Sequence, residues 1–256
     1  MEKTEKELTL EEKVQLALEN SERALAYYEI QKVWAAHAYC YRAERQRYEL
    51  DNFWSKEHDD IAYAHGSHAF VGRELVYKYY AHGNEIMNEG KLKIMNELYP
   101  DEIQVNDDNL AIGDMVLRFQ ATPYIEISKD NKTAKAIWST PGFNTENDAN
   151  GEPKPIILVG KECVEFVKES DGWKIWHFRD AGDFAITLPA EILSKSADMK
   201  NRTIEDAFPE FNRTLEPFPE GGPFSTKRPA KFSPELPKPF DTWSDDISWV
   251  KPAEQV

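Results

Sequence analysis

The sequence predicts an α+β fold, with helices first, an antiparallel sheet after them and a long proline-rich C-terminal extension. Three observations lead there. Aromatic and polar residues recur at helical spacing over residues 27–48. Beyond Pro100 the pattern changes to alternation broken by turn residues. From Leu188 onward lie ten of the fifteen prolines, which bars regular helix or sheet there. Helices followed by a meander of strands is the order of a domain with its helices on one sheet face. The layout is a helical lead over 1–20, a main domain over 21–187 and a C-terminal strap over 188–256.

Thr9-Leu10-Glu11-Glu12 has the form of a capping box, so a helix starts there and is expected to run to about Leu50. Tyr27, Ile30, Trp34, His37, Tyr41, Glu44 and Tyr48 fall on one face of it. An unpaired buried polar group costs several kcal/mol. These side chains therefore face a partly wet cavity or one another. We read the helix as a pocket wall, although a tyrosine-rich core helix with satisfied polar tips would carry the same residues. Residues 51–60 read as a shorter helical piece with Phe53 and Trp54 inward. A strand over 61–65 sends Ile61, Tyr63 and His65 to one face, and Gly66-Ser67 turns it into residues 68–72. Residues 73 to about 87 are helical again, with Leu75, Val76, Tyr79 and Tyr80 as apolar positions.

The strand region opens with 103–105 and, after Asn106-Asp107-Asp108-Asn109, an alternating partner over 110–120. Residues 124–127 and 133–140 form a second hairpin through Lys129-Asp130-Asn131-Lys132. A loop rich in Asn, Gly and Pro is expected over 141–155. Residues 156–169 and 173–179, joined by Ser170-Asp171-Gly172, give the longest hairpin, with Trp173, Ile175, His177 and Arg179 on one face. The strap is not plainly disordered, because Phe208, Phe211, Phe218, Phe224, Phe232, Phe240, Trp243 and Trp249 recur through it. It is expected to dock those rings on the main domain or on a neighbouring subunit.

At 256 residues the chain can bury a sizeable core without covalent staples. Cys40 and Cys163 have neither zinc nor redox spacing and read as buried thiols in a reducing compartment. The charged N-terminus has no leader pattern and no window matches a membrane span, so a cytoplasmic location is expected. A net charge of −15 argues against a nucleic-acid partner, whose phosphates call for clustered lysine and arginine. A neutral aromatic or polycyclic small molecule suits the composition better. His65 and His68 with Asp59 or Asp60 span a turn, where i and i+3 do not converge as on a helix, so no metal is expected.

The order of elements, the Gly72-Arg73-Glu74 helix start, and the hairpins PYIEISKDNKTAKAIW (123–138) and VEFVKESDGWKIWHF (164–178) together resemble the nuclear transport factor 2-like superfamily. Within it the resemblance is to the SnoaL-like branch of polyketide cyclases and scytalone dehydratase-like lyases, over about residues 20–185. It implies a cone-like, curved sheet closing over helices around one deep pocket. Such a pocket hosts dehydration, isomerisation, cyclisation or carbon–carbon cleavage without a cofactor, or only binds a ligand. A homodimer or homotrimer is expected.

Elimination without a cofactor needs a base for the proton on carbon and an acid for the departing oxygen. The resemblance places Glu44 at the first-helix carboxylate and Tyr63 at the first-strand tyrosine of dehydratase-like members. His65 shares the face of Tyr63 and is the expected base, oriented by Glu44. His37, Tyr41, Tyr48, Trp138 and His177 are expected to contact substrate, with core filling the other reading of His37, Tyr41 and His177. The family's catalytic histidine after the third helix has no counterpart here, where Lys93-Ile94-Met95-Asn96-Glu97 stands. The expected activity is a lyase that removes water, or a small fragment such as formaldehyde, from a hydroxylated aromatic or polycyclic molecule.

Overall fold

The computed structural model describes residues 8–41, 45–65, 68–101, 113, 115–148, 150–190 and 192. The expected capping box is present. Thr9 N–H donates to Glu12 Oε2 at 2.8 Å and Glu12 N–H to Thr9 Oγ1 at 3.2 Å. Helix α1 (Leu10–Cys40) follows. Its first turns stand in solvent, and burial starts at Ala26 and Ile30, where the helix meets the sheet. Arg23 pins it there, donating to the carbonyls of Ile127 and Ser128 at 2.9 Å each.

The helix does not run to Leu50. It stops at Cys40, and a second helix, α2 (Gln46–Asn52), begins beyond it. Residues 53–60 are not helical either. Ser55 N–H donates to Ile175 O and Ile175 N–H to Phe53 O, so this backbone is committed to the sheet through a bridge at Trp54. Glu169 holds the following turn by accepting from Ser55 Oγ and from the N–H groups of Lys56 and Glu57. Burial works against the Glu169 carboxylate, but those hydrogen bonds outweigh it and hold its pKa below the ordinary value. Glu169→Ala should cost about 1–3 kcal/mol in a urea melt by leaving these donors unpaired. A depressed carboxyl contributes stability above its unfolded pKa and loses it as pH falls through the folded one, so the deficit should shrink in acid.

Strands β1 (Ala62–His65) and β2 (His68–Val71) form the expected hairpin. A helix then runs from Arg73 to Leu98 in three pieces: α3 (Arg73–Val76), a π-helical stretch (Tyr77–His82) and α4 (Gly83–Leu98). The remaining strands are β3 (Met115–Arg118), β4 (Ala121–Ile127), β5 (Thr133–Ser139), β6 (Gly142–Asn147), β7 (Pro153–Glu169) and β8 (Gly172–Thr187). The first strand expected in this region, 103–105, and the strap from 193 onward lie outside the described residues.

Among the described residues the sheet has eight strands in the order β2-β1-β8-β7-β5-β4, with β6 pairing β7 and β3. N-terminal helices pack on this curved, unclosed sheet to give the cone-like α+β architecture. Two features differ from expectation. β1 runs parallel to β8, so the sheet is mixed. The expected loop over 141–155 contains β6, whose polar side chains mask its alternation and which pairs β7 from Gly142↔Leu158 to Asn147↔Pro153.

The core lies between α1, α2, the π-helical stretch and the concave sheet face. Trp34, Trp54, Tyr80, Phe166 and Phe178 are its largest fully buried side chains. Each such ring contributes about 1.5–3 kcal/mol of burial.

Candidate functional site

The expected stripe on α1 delivers Ile30, Trp34 and His37 to the interior, all fully buried. His37 does not stand there alone. Its Nδ1 lies 2.9 Å from Glu49 Oε1, a carboxylate that α2 carries into the core. Trp54 Nε1–H donates to the same oxygen at 3.1 Å, and the Tyr80 hydroxyl donates to Oε2 at 2.7 Å. Three donors thus hold one buried carboxylate. Glu49 in turn fixes the tautomer of the neutral His37 ring: Nδ1 carries the proton and Nε2 is the lone pair that can take one up. That Nε2 is buried and has no hydrogen-bond partner.

Opposite it, the inner sheet face presents a polar row. Trp138 of β5 pairs with Glu162 of β7, Glu162 with Asp180 of β8, and Asp180 with His65 of β1. One pleat deeper the row is apolar, with Ala136, Val164, Phe178 and Tyr63. Glu162 Oε1 lies 4.0 Å from His37 Nε2, and its Oε2 accepts from Gln120 at 3.3 Å. Arg118 Nη2 lies 3.9 Å from Asp180. The next positions outward are Gly160 and Gly182, paired across β7 and β8. A Cβ at Gly182 would meet nothing within 4 Å, so the sheet leaves open space beside the two carboxylates.

The electrostatics follow from this packing. Burial drives the His37 pKa down, but the charge and hydrogen bond of Glu49, then the charges of Glu162 and Asp180, outweigh it and leave it raised. Glu162 is also raised, by burial first, with His37 and Arg118 pulling back and Asp180 pushing up. Desolvation lifts Tyr63 to about 12, and lifts Tyr41 and Tyr80 well above the ordinary phenol range. All three phenols are therefore hydrogen-bond donors at neutral pH. The Trp34 ring stacks on His37 with centroids 4.0 Å apart, and Trp138 stacks behind it at 5.4 Å.

The expected residues distribute as follows. His37, Tyr41, Tyr63 and Trp138 come together around this cluster, with the Tyr41 and His37 rings 5.1 Å apart. His65 sits at its rim, its side chain 67 % exposed and Nδ1 3.6 Å from Asp180 Oδ2. Tyr48 is 49 % exposed on α2, away from the cluster. Glu44 lies outside the described residues. His177 and Arg179 do not share a face with Ile175. A bulge leaves Trp176 unpaired between Ile175↔Phe166 and His177↔Glu165, and the extra residue turns every later side chain over. Phe178 and Asp180 therefore point inward, while His177 bonds Glu165 at 2.6 Å on the outer face. There it borders a surface groove of 510 Å³ with Tyr124, Ile137 and Cys163. Cys163 is half-buried rather than enclosed. A second groove, of 400 Å³, lies by Arg23 and Tyr27. Neither groove is lined by His37, Glu49, Glu162 or Asp180.

Glu49, Tyr80, Glu162, Asp180, Arg118 and Gln120 were not singled out from sequence. For Glu162 a signal existed, since it has the parity of Val164 and Phe166 in a strand whose inward positions are otherwise apolar.

No protein-family description and no curated protein matches the sequence. Among solved structures the chain is similar to a type 2 hexachlorocyclohexane dehydrochlorinase, LinA, with 13 % identity, 66 % of this chain and 93 % of that chain covered, and a TM-score of 0.45. It is similar to a scytalone dehydratase-like protein from Novosphingobium aromaticivorans, with 11 % identity, coverage of 66 % and 92 %, and a TM-score of 0.45. An NTF2-like protein with a cystatin-like fold from the same species gives 15 % identity, coverage of 68 % and 92 %, and a TM-score of 0.42.

Proposed function

We propose that this protein is a lyase that uses its own acid and base residues, without a cofactor, to eliminate water from a hydroxylated, ring-bearing small molecule. One observation carries the reading: a buried imidazole is locked by a carboxylate on one nitrogen and left open on the other. Such a dyad is built to accept a proton. His37 Nε2 takes the proton from carbon, and the released electron pair forms the double bond. The adjacent hydroxyl leaves as water, with its second proton supplied by the Glu162 carboxyl. Tyr41 and Tyr63 donate hydrogen bonds to the substrate's other oxygens. His37 and Glu162 then stand as an ion pair at the distance seen here, 4.0 Å, and one proton passed back from His37 restores both. In this scheme His65, at the rim, contacts the site through Asp180 and does not touch the reacting carbon.

The dyad is testable before any substrate is known. Imidazole NMR of the folded protein should show His37 titrating above its ordinary value of 6.5. Glu49→Gln should bring that titration down, because the largest favourable interaction is removed. A wild-type His37 that titrates below 6.5, or one that Glu49→Gln does not move, would sink the base assignment.

A further inference from the structure

The most informative residues for the kind of ligand are the two inward carboxylates that the dyad does not need. Resting on the reading of the His37 cluster as a ligand site, we infer that Glu162 and Asp180 make it select molecules whose polar groups are hydrogen-bond donors, neutral or positively charged, and reject carboxylates and phosphates.

Glu49 already accepts from His37, Trp54 and Tyr80. Glu162 and Asp180 differ. Among the described residues Glu162 accepts from Gln120 and has the Trp34 indole N–H within reach, and its Oε1 stands 4.0 Å from an imidazole nitrogen. Asp180 has Arg118 at 3.9 Å and His65 at 3.6 Å, ion-pair distances that are too long for hydrogen bonds. A carboxylate accepts up to about four hydrogen bonds. Both groups are buried, and the described donors leave part of that capacity open.

The cations do not reverse the balance. Arg118 faces Asp180, and its Nε is buried without a partner. His37 is matched by Glu49. Among the described residues an incoming anion would meet the Asp180 carboxylate and, once Glu162 has given up its proton, a second one, served by one guanidinium in an interior where charge is weakly screened. An incoming hydroxyl or ammonium would supply what both carboxylates lack. One ligand oxygen about 2.8 Å from each, a normal hydrogen-bond length, would span the 4.0 Å between His37 Nε2 and Glu162 Oε1. Around it Trp34, Trp138, Tyr41, Tyr63 and Phe178 supply ring faces, which favour flat or cationic groups and offer an anion nothing. Gly182 leaves open space beside the pair, whereas at Gly160 a Cβ would meet the Ala181 carbonyl oxygen at 2.8 Å.

A matched series on one ring tests this: 4-methylcatechol (neutral), dopamine (cationic) and 3,4-dihydroxyphenylacetate (anionic), titrated by isothermal calorimetry and by quenching of tryptophan fluorescence. The neutral and cationic probes should bind at least tenfold tighter than the anion. Asp180→Asn, which keeps shape and removes charge, should narrow that ratio several-fold, and Glu162→Gln, which removes the charge Glu162 carries after giving up its proton, should narrow it independently should one variant fail to fold. His37→Gln tells the two readings apart. Equal or preferred binding of the anion, abolished by His37→Gln, overturns the selectivity and leaves the site standing. Failure of all three probes to bind overturns the selectivity, while the His37 titration still reports on the dyad by itself. A ratio unmoved by both amide variants also overturns it.

Discussion

Glu49→Ala should cost about 3–5 kcal/mol of folding stability, the range for breaking one side of a buried charged network. The carboxylate accepts from the His37 ring, the Trp54 indole and the Tyr80 hydroxyl, and alanine leaves all three buried donors with no acceptor. Each orphaned group costs about 1–3 kcal/mol, with the side-chain void in addition. The pH dependence has a definite sign. A histidine whose folded pKa is raised adds stability that is complete below its unfolded value of 6.5 and fades as pH climbs through the folded one. Urea melts should therefore show a larger deficit at pH 6 than at pH 9. A loss under 1 kcal/mol at pH 6 would mean that the network contributes no more than surface contacts do.

His37→Gln should reduce kcat on the eventual substrate by about 10²–10⁴-fold, the usual contribution of a positioned general base. Glutamine can still meet Glu49 through its amide, so the fold should survive, but it offers no basic nitrogen to the cavity. The discriminating control is Tyr63→Phe, which removes one donor while keeping the ring packed on Phe178 at 5.6 Å. It should weaken turnover far less than loss of the base. If His37→Gln turns over substrate at the wild-type rate while circular dichroism shows a folded protein, the base lies elsewhere.

How much was legible in the sequence differed from element to element. Thr9–Glu12, the hairpins at 128–133 and 169–172 and the stripe at Ile30, Trp34 and His37 were readable because caps, turns and periodicity are local rules. The site was only half readable because its second half depends on pairing. Nothing within α2 says that Glu49 turns inward; of its three partners only Trp54 is near in sequence, the others lying 12 residues upstream and 31 downstream. On β8 simple alternation placed His177 inside, and one bulged residue exchanged it for Asp180. A bulge leaves no local mark when its flanking residues, Trp176 and His177, suit either face. β6 was missed because Asn144, Thr145 and Asn147 look like loop residues until their partners on β7 are known.

The π-helical stretch at Tyr77–His82 has a mechanical consequence. One residue more per turn shifts the angular phase of everything beyond it by about 100°. Val76 and Tyr80, at and before the shift, belong to the main core, while Leu92 and Met95 beyond it belong to a separate small cluster with Tyr99. A single rod thus serves two cores that a regular helix would have to bring onto one stripe.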